Sequence, residues 1–265
     1  MPDNMNILMI GDIVGEPGRS ILARRLQKIV DEHRIDLVVA NGENSAGGFG
    51  ITPKIAEDLF RSGIHVITTG NHVWDKKEIL DYIIQEPRLL RAANYPETTP
   101  GSGSTVVDLD QERRVAVLHL MGRVFMPALD CPFQIGRREI EHLQKQTRLI
   151  IVDMHGEATS EKRAMGWYLD GEVTAVLGTH THVQTADETI LPKGTAYITD
   201  VGMTGPYESV IGIKKEMAIT KFLNQMPVRF EVAGGPSVIS AVVVRADPIS
   251  GKAVGIERLQ VKDGG

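Results

Sequence analysis

Two histidines separated by one small residue, in Gly178-Thr-His180-Thr-His182, stand where an apolar run gives out, and four earlier stretches end in the same way. Gly11-Asp12, Asn41-Gly-Glu43-Asn44, Gly70-Asn71-His72 and Met154-His155-Gly156 each follow a short run rich in aliphatic residues. Pooled, they offer carboxylate, amide and imidazole donors and no thiolate. That mixture suits borderline divalent metals such as Mn, Fe, Zn or Co and disfavours a structural zinc site. Seven candidate ligands (Asp12, Glu43, Asn44, Asn71, His155, His180 and His182) are too many for one tetrahedral ion and reasonable for two ions sharing a carboxylate. Two metals about 3.5–4 Å apart can activate a bridging water and clamp phosphoryl oxygens during in-line displacement. Glu43, on a central strand end, is the expected bridge. His180 and His182 can address one metal each, and His72 stays free to protonate the leaving oxygen.

Each of these residues also has a plainer use. Asp12 could cap the helix after it, and Asn71 could simply turn the chain. Lone histidines are usually satisfied or exposed. What favours a common site is recurrence at five strand ends, because the carboxyl ends of strands in an open α/β sheet converge on one crevice.

The elements that must position these residues alternate in the first third of the chain. Short buried strands are predicted over 6–10, 37–40 and 65–68, with helices over 19–33, from Pro53, and from an Asp75 cap to about Ile84. This βαβαβα pattern predicts a parallel sheet covered by helices. Residues 94–104 read as a loop, 105–109 and 114–120 as a strand pair, and 136–147 as a helix. Further strands are predicted over 149–153, 173–177, 196–199, 228–232, 238–244 and 254–261, with a helix over 214–224. No linker or repeat interrupts residues 1–265, so one α/β sandwich-like domain is the expectation.

Composition narrows the function classes. A net charge of −5 argues against a general binder of nucleic-acid backbone, though a metal site can still bring a nucleotide to an acidic protein. One cysteine, Cys131, forbids an intrachain disulfide and suits a reducing cytoplasm. The N-terminus lacks the basic region of a secretory signal, and no apolar run reaches the roughly 20 residues that span a bilayer.

The strand-end residues resemble the calcineurin-like metallophosphoesterase superfamily, whose pattern is matched in order by Asp12, Glu43, Asn71 with His72, His155, and His180 with His182. Val14 stands where that superfamily usually has a histidine ligand, and Glu43 where it has an aspartate, so Asn44 becomes the substitute ligand. Asn41-Gly-Glu-Asn44, Gly70-Asn-His-Val-Trp74 and Gly178-Thr-His-Thr-His182 look like the bacterial YmdB-type subgroup, as do Leu120-Met-Gly-Arg-Val-Phe125 and Thr199-Asp-Val-Gly-Met-Thr-Gly205. The resemblance implies a four-layer α/β/β/α sandwich with mixed sheets and the active site at strand C-terminal ends. It implies two metal ions, Fe or Mn with Zn as an alternative. Asp12, Glu43, Asn44 and His182 would hold one, and Glu43, Asn71, His155 and His180 the other, with His72 as general acid. It also implies phosphodiesterase activity on 2′,3′-cyclic nucleotides, that is, a small-molecule substrate without a stable nucleic-acid complex. Self-association is common for an acidic soluble enzyme of this size.

Two other readings compete. Gly11-Asp-Ile-Val-Gly15-Glu-Pro-Gly18 could be a dinucleotide-binding turn, although its glycine spacing is wrong and Asp12 would face the pyrophosphate. A metal-bound sensor with weak catalysis would carry the same residues.

Overall fold

The computed structural model describes residues 4–110 and 113–263; the opening residues 1–3, read above for a leader, lie outside them. In chain order the first half runs β1 (Met5–Ile10), β2 (Asp12–Ile13), α1 (Gly15–His33), β3 (Leu37–Asn41), α2 (Pro53–Arg61), β4 (Val66–Thr68), α3 (Ile79–Gln85), β5 (Leu89–Leu90), β6 (Ser104–Asp108) and β7 (Arg114–Met121). The second half runs α4 (Pro132–Leu143), β8 (Leu149–His155), α5 (Thr159–Tyr168), β9 (Ala175–Thr179), β10 (Thr189–Ile190), β11 (Ala196–Ile198), β12 (Met203–Pro206), α6 (Lys215–Asn224), β13 (Ser237–Ala246) and β14 (Ala253–Lys262).

Local chemistry sets several boundaries. The Thr52 hydroxyl accepts from Ile55 N at the start of α2, and Pro53 fills a first-turn position where its missing N–H costs nothing. α1 ends as Arg34 turns left-handed at φ 49°. β3 and β8 read as continuous apolar runs rather than alternating ones, as strands buried on both faces do.

The strands form two mixed sheets. One is ordered β2-β12-β13-β1-β3-β4-β5, with β14 on β13; the other is β10-β11-β9-β8-β7-β6. β1, β3, β4 and β5 run parallel in the first sheet, and β7, β8, β9 and β11 in the second. Successive residues of each strand serve different cores. Ile7, Met9, Leu37 and Val39 meet Val117, Ile151 and Leu177 between the sheets. Leu8, Ile10, Val38 and Ala40 pack outward against α1, α2 and α3, while Leu118, Val152 and Val176 pack outward against α4 and α5. The result is the expected four-layer α/β/β/α sandwich. Each enclosed aliphatic side chain contributes about 1.5–3 kcal/mol, so the frame holding the strand ends is rigid.

Some sequence expectations need correction. Residues 228–232 form no strand; only Val232 bridges to Ile213. Asp75 does not cap a helix, because α3 begins at Ile79 after Glu78. Asp12 and Ile13 pair with β12 and the two-sheet sandwich replaces a doubly wound sheet, which removes the dinucleotide-turn reading. Helix α5 went unread, since its apolar residues keep no clear stripe. No helix among the described residues is long and apolar enough to cross a membrane.

Candidate metal centre

The carboxyl ends of β3, β4, β8 and β9 meet at one edge of the sandwich, and four donor atoms converge there. His155 Nε2 lies 3.1 Å from Glu43 Oε1, 3.1 Å from His180 Nδ1 and 3.4 Å from Asn71 Oδ1. Neighbouring ligands of one ion at metal–ligand distances of about 2.1 Å and right angles stand about 3 Å apart, so this spacing fits a shared cation. Asp12 and His182 form a second group beside it, with Asp12 Oδ1 4.0 Å from His182 Nε2. Asp12 Oδ2 accepts from His180 N at 3.2 Å, tying the two groups together.

Each histidine is oriented by what its other nitrogen touches. Thr179 donates its hydroxyl hydrogen to Asp153 Oδ1 at 2.7 Å, so its oxygen accepts from His155 Nδ1 at 2.9 Å and leaves Nε2 facing the cluster. His182 Nδ1 donates to Ile211 O at 2.8 Å, which frees its Nε2. His180 Nε2 is 3.2 Å from Glu157 Oε2, which frees its Nδ1. Such outer partners are what fix tautomer and ring direction in metal-binding histidines. Asn41 performs the same service for the carboxylate: its Oδ1 accepts from Glu43 N, and its Nδ2 donates to Thr69 O.

The residues fit a bound cation on two further observations. Asp12 Oδ1 and Asn44 Oδ1 are buried and accept no hydrogen bond, a costly condition for an oxygen unless a cation answers it. Gly70 approaches so closely that a Cβ there would overlap both Glu43 Oε2 and His155 Nε2.

The charges of the cluster act on one another. Burial pushes the Asp12 carboxyl up to about 7, against the pull of His182 and His155. Burial opposes ionisation of Glu43 too, but the adjacent His155 imidazolium outweighs it and holds that carboxyl well below the usual range. Burial likewise disfavours charge on His155, yet Glu43 and Asp12 raise it to about 9, while burial and the His155 charge lower His180 to about 3. His155 therefore carries a proton at neutral pH that an entering divalent ion must displace. Raising the pH towards 9 removes that proton beforehand and strengthens binding; lowering it does the reverse. Between pH 6 and 8 the Mn²⁺ association constant is expected to rise about tenfold per pH unit for each proton released. Calorimetry in buffers of different ionisation enthalpy measures that proton count.

His72 stands at the rim. Its backbone N–H donates to Glu43 Oε2 at 3.1 Å, its ring packs edge-on against Phe49, and its Nδ1 is 2.9 Å from Asp75 Oδ2. A cleft of about 310 Å³ opens beside it, with Glu43, His72, His180 and His182 on one side and Phe49, Ile213 and Phe230 among its apolar walls. Of the eight residues read from sequence, the structure gathers Glu43, Asn71, His155 and His180 most tightly. Asp12 and His182 adjoin them, Asn44 lines the cleft, and the His72 ring turns to Asp75 instead of the cluster. Glu157, Asp75 and Thr179 were missed. Glu157 had a signal, standing two residues beyond His155, whereas the Asp75 contact needs the turn at 70–75 to be known.

The family model for YmdB-like proteins matches residues 8–259. The 2′,3′-cyclic-nucleotide 2′-phosphodiesterase of Bacillus subtilis strain 168 is 51% identical over 259 residues, 98% of either chain. Among solved structures, a hypothetical protein from Thermus thermophilus superposes with a TM-score of 0.91 at 40% identity, covering 97% of this chain and 99% of that one. A novel phosphatase from Mycoplasma pneumoniae gives 0.93 at 35% identity, covering 99% and 95%.

Proposed function

The chain belongs to the YmdB-like protein family, and from that premise we propose that it is a dinuclear-metal phosphodiesterase acting on 2′,3′-cyclic nucleotides. That it is a phosphodiester hydrolase follows from its relatives; the metal pair, the substrate and the residue roles are the proposal. The observation that carries it is the convergence of Glu43, His155 and His180, with the hydrogen-bond-free oxygens of Asp12 and Asn44 beside them. Asp12, Glu43, Asn44 and His182 hold one ion, and Glu43, Asn71, His155 and His180 the other. Iron or manganese suits this oxygen and imidazole set, and zinc is also chemically acceptable. When bound, the ions supply an acidified water and positive charge against the phosphoryl oxygens.

The chain's own groups do the rest. Hydrolysis adds the oxygen of water to phosphorus and breaks one ring P–O bond, so the departing ribose oxygen needs a proton. His72, on the rim, donates it from Nε2, and Asp75, hydrogen-bonded at Nδ1, orients the ring. The Bacillus relative is named for cleavage on the 2′ side; the same cleavage here leaves a nucleoside 3′-phosphate. Replacing His72 by Ala is expected to lower kcat by about 10²–10⁴-fold while the metal content stays at the wild-type value. Elemental analysis beside the kinetics checks both halves; full activity in that variant removes the acid from His72.

The apolar wall of the cleft supports a nucleotide over a bare diester, since Phe49 and Phe230 offer aromatic surface to a base. Phe230→Ala is expected to raise KM for a 2′,3′-cyclic nucleotide by about tenfold, equivalent to about 1.4 kcal/mol and within the about 1–3 kcal/mol of one base–aromatic stack, and to leave kcat unchanged. Steady-state kinetics with ribose 2,3-cyclic phosphate, which lacks the base, provides the control. The substrate class itself is tested with 2′,3′-cyclic, 3′,5′-cyclic and monoester substrates side by side. Preference for the first group is expected, and equal or greater turnover of the others contradicts it. A cytoplasmic, one-domain enzyme agrees with the unpaired Cys131 and the uninterrupted packing, and a homo-oligomer remains part of the proposal.

A further inference from the structure

The segment Thr199-Asp-Val-Gly-Met-Thr-Gly205 supplies no donor to the metal cluster, yet it contributes an enclosed ion pair. Asp200 is inaccessible to solvent, and so is Lys162 of α5, whose Nζ lies 2.8 Å from Asp200 Oδ2 and 3.2 Å from Thr179 O. The same Oδ2 accepts two bonds from Thr181, from N at 3.0 Å and from Oγ1 at 2.7 Å, and Oδ1 accepts from Gly202 N at 2.8 Å. A carboxylate held from so many directions has little freedom to move.

Thr181 is the residue between His180 and His182. Both histidines have left-handed backbone, φ 100° and 66°, which a β-carbon makes unfavourable and which persists only where the surroundings impose it. The grip of Asp200 falls on the middle of that strained turn. Its product is an unusual presentation: His180 offers Nδ1 to the Glu43–His155 group, while His182 offers Nε2 to Asp12. Gly178 belongs to the same arrangement, because a Cβ there would overlap Thr199 O and stand 2.9 Å from Lys162 Cδ. The Gly178–His182 segment and the Thr199–Gly205 segment are therefore one device.

We propose that Lys162, Asp200 and Thr181 are positioning residues, a buried clamp that holds the His180–His182 turn so that its two imidazoles serve two different ions. The ion-binding half rests on the function proposed above; the clamp itself is a property of the chain. The test compares Thr181→Val, which removes the hydroxyl contact at nearly constant shape, with Thr181→Ser, which keeps it. Metal-stripped full-length proteins are titrated with Mn²⁺ by calorimetry, and amide hydrogen exchange of residues 178–183 is followed by mass spectrometry on the same samples. Thr181→Val is expected to weaken Mn²⁺ binding about 10–100-fold. It should also lower kcat with KM unchanged and speed exchange within that segment alone, and Thr181→Ser should restore all three. Unchanged exchange in Thr181→Val overturns the clamp, as does a serine variant as impaired as the valine one. If the wild-type protein binds no Mn²⁺, the metal reading fails, and the exchange comparison still decides the clamp.

Discussion

Glu43→Gln is expected to lower kcat on a cyclic phosphodiester about a thousandfold, since a metal site supplies several kcal/mol of transition-state stabilisation and each 1.36 kcal/mol is a factor of ten. The substitution preserves shape and removes the charge that two ions would share, together with one acceptor oxygen. Glu43 is 1% exposed and stands 3.1 Å from His155, so its carboxylate is also what keeps a proton on His155. Glutamine therefore has two measurable consequences. Bound metal falls below two ions per chain, and the proton released on Mn²⁺ binding declines because His155 no longer holds it. Wild-type metal content together with wild-type kcat would remove Glu43 from the bridge.

Gly70→Ala carries the second large effect, through volume alone. The backbone at Gly70 is not left-handed, so alanine meets no conformational penalty there. Its methyl group would instead occupy the space of His155 Nε2, the nitrogen at the centre of the cluster, and of Oε2, the second oxygen of the Glu43 carboxylate. Those side chains must move apart to admit it, and geometry that depends on spacings near 3 Å is lost. Activity is expected to fall at least about a hundredfold, as misplacements on the order of 1 Å do at catalytic sites. The packed layers are untouched, so the far-ultraviolet circular dichroism should match that of the wild type. An active, fully metallated Gly70→Ala protein would show that the cluster has more room than these distances allow.

Glu43 was visible before the fold was known, and the reason is physical; the tight space at Gly70 emerges only from the structure. Strands buried on two faces must be continuous aliphatic runs, so β1, β3, β4, β8 and β9 announce themselves, and polar residues at their ends stand out by contrast. Since parallel strands bring their carboxyl ends to one edge, Asp12, Glu43, Asn71, His155 and His180 could be grouped without knowing any distance. The order of strands was another matter. β13 inserts antiparallel beside β1, a pairing between residues 5–10 and 241–246 that no local pattern encodes. The outer partners of the histidines were equally hidden, because Thr179 meets His155 across neighbouring strands and Ile211 meets His182 from a loop. Residues 228–232 misled through composition: Val228, Phe230 and Val232 alternate as a strand would, yet they form none, Phe230 lining the cleft and Val232 alone bridging to Ile213. Asp75 misled in the opposite direction, its carboxylate having been read as a helix cap while it is engaged with His72.

The central claim is that two ions share one site and that phosphodiester hydrolysis depends on them. Elemental analysis of the purified full-length protein, taken through graded chelation and measured beside hydrolysis of a 2′,3′-cyclic nucleotide on the same samples, addresses it most directly. Two transition-metal ions per chain are expected at full activity, with a loss of activity as they are withdrawn and recovery on adding Mn²⁺ or Fe²⁺. One ion per chain at full activity, or hydrolysis that survives complete metal removal, would contradict the claim.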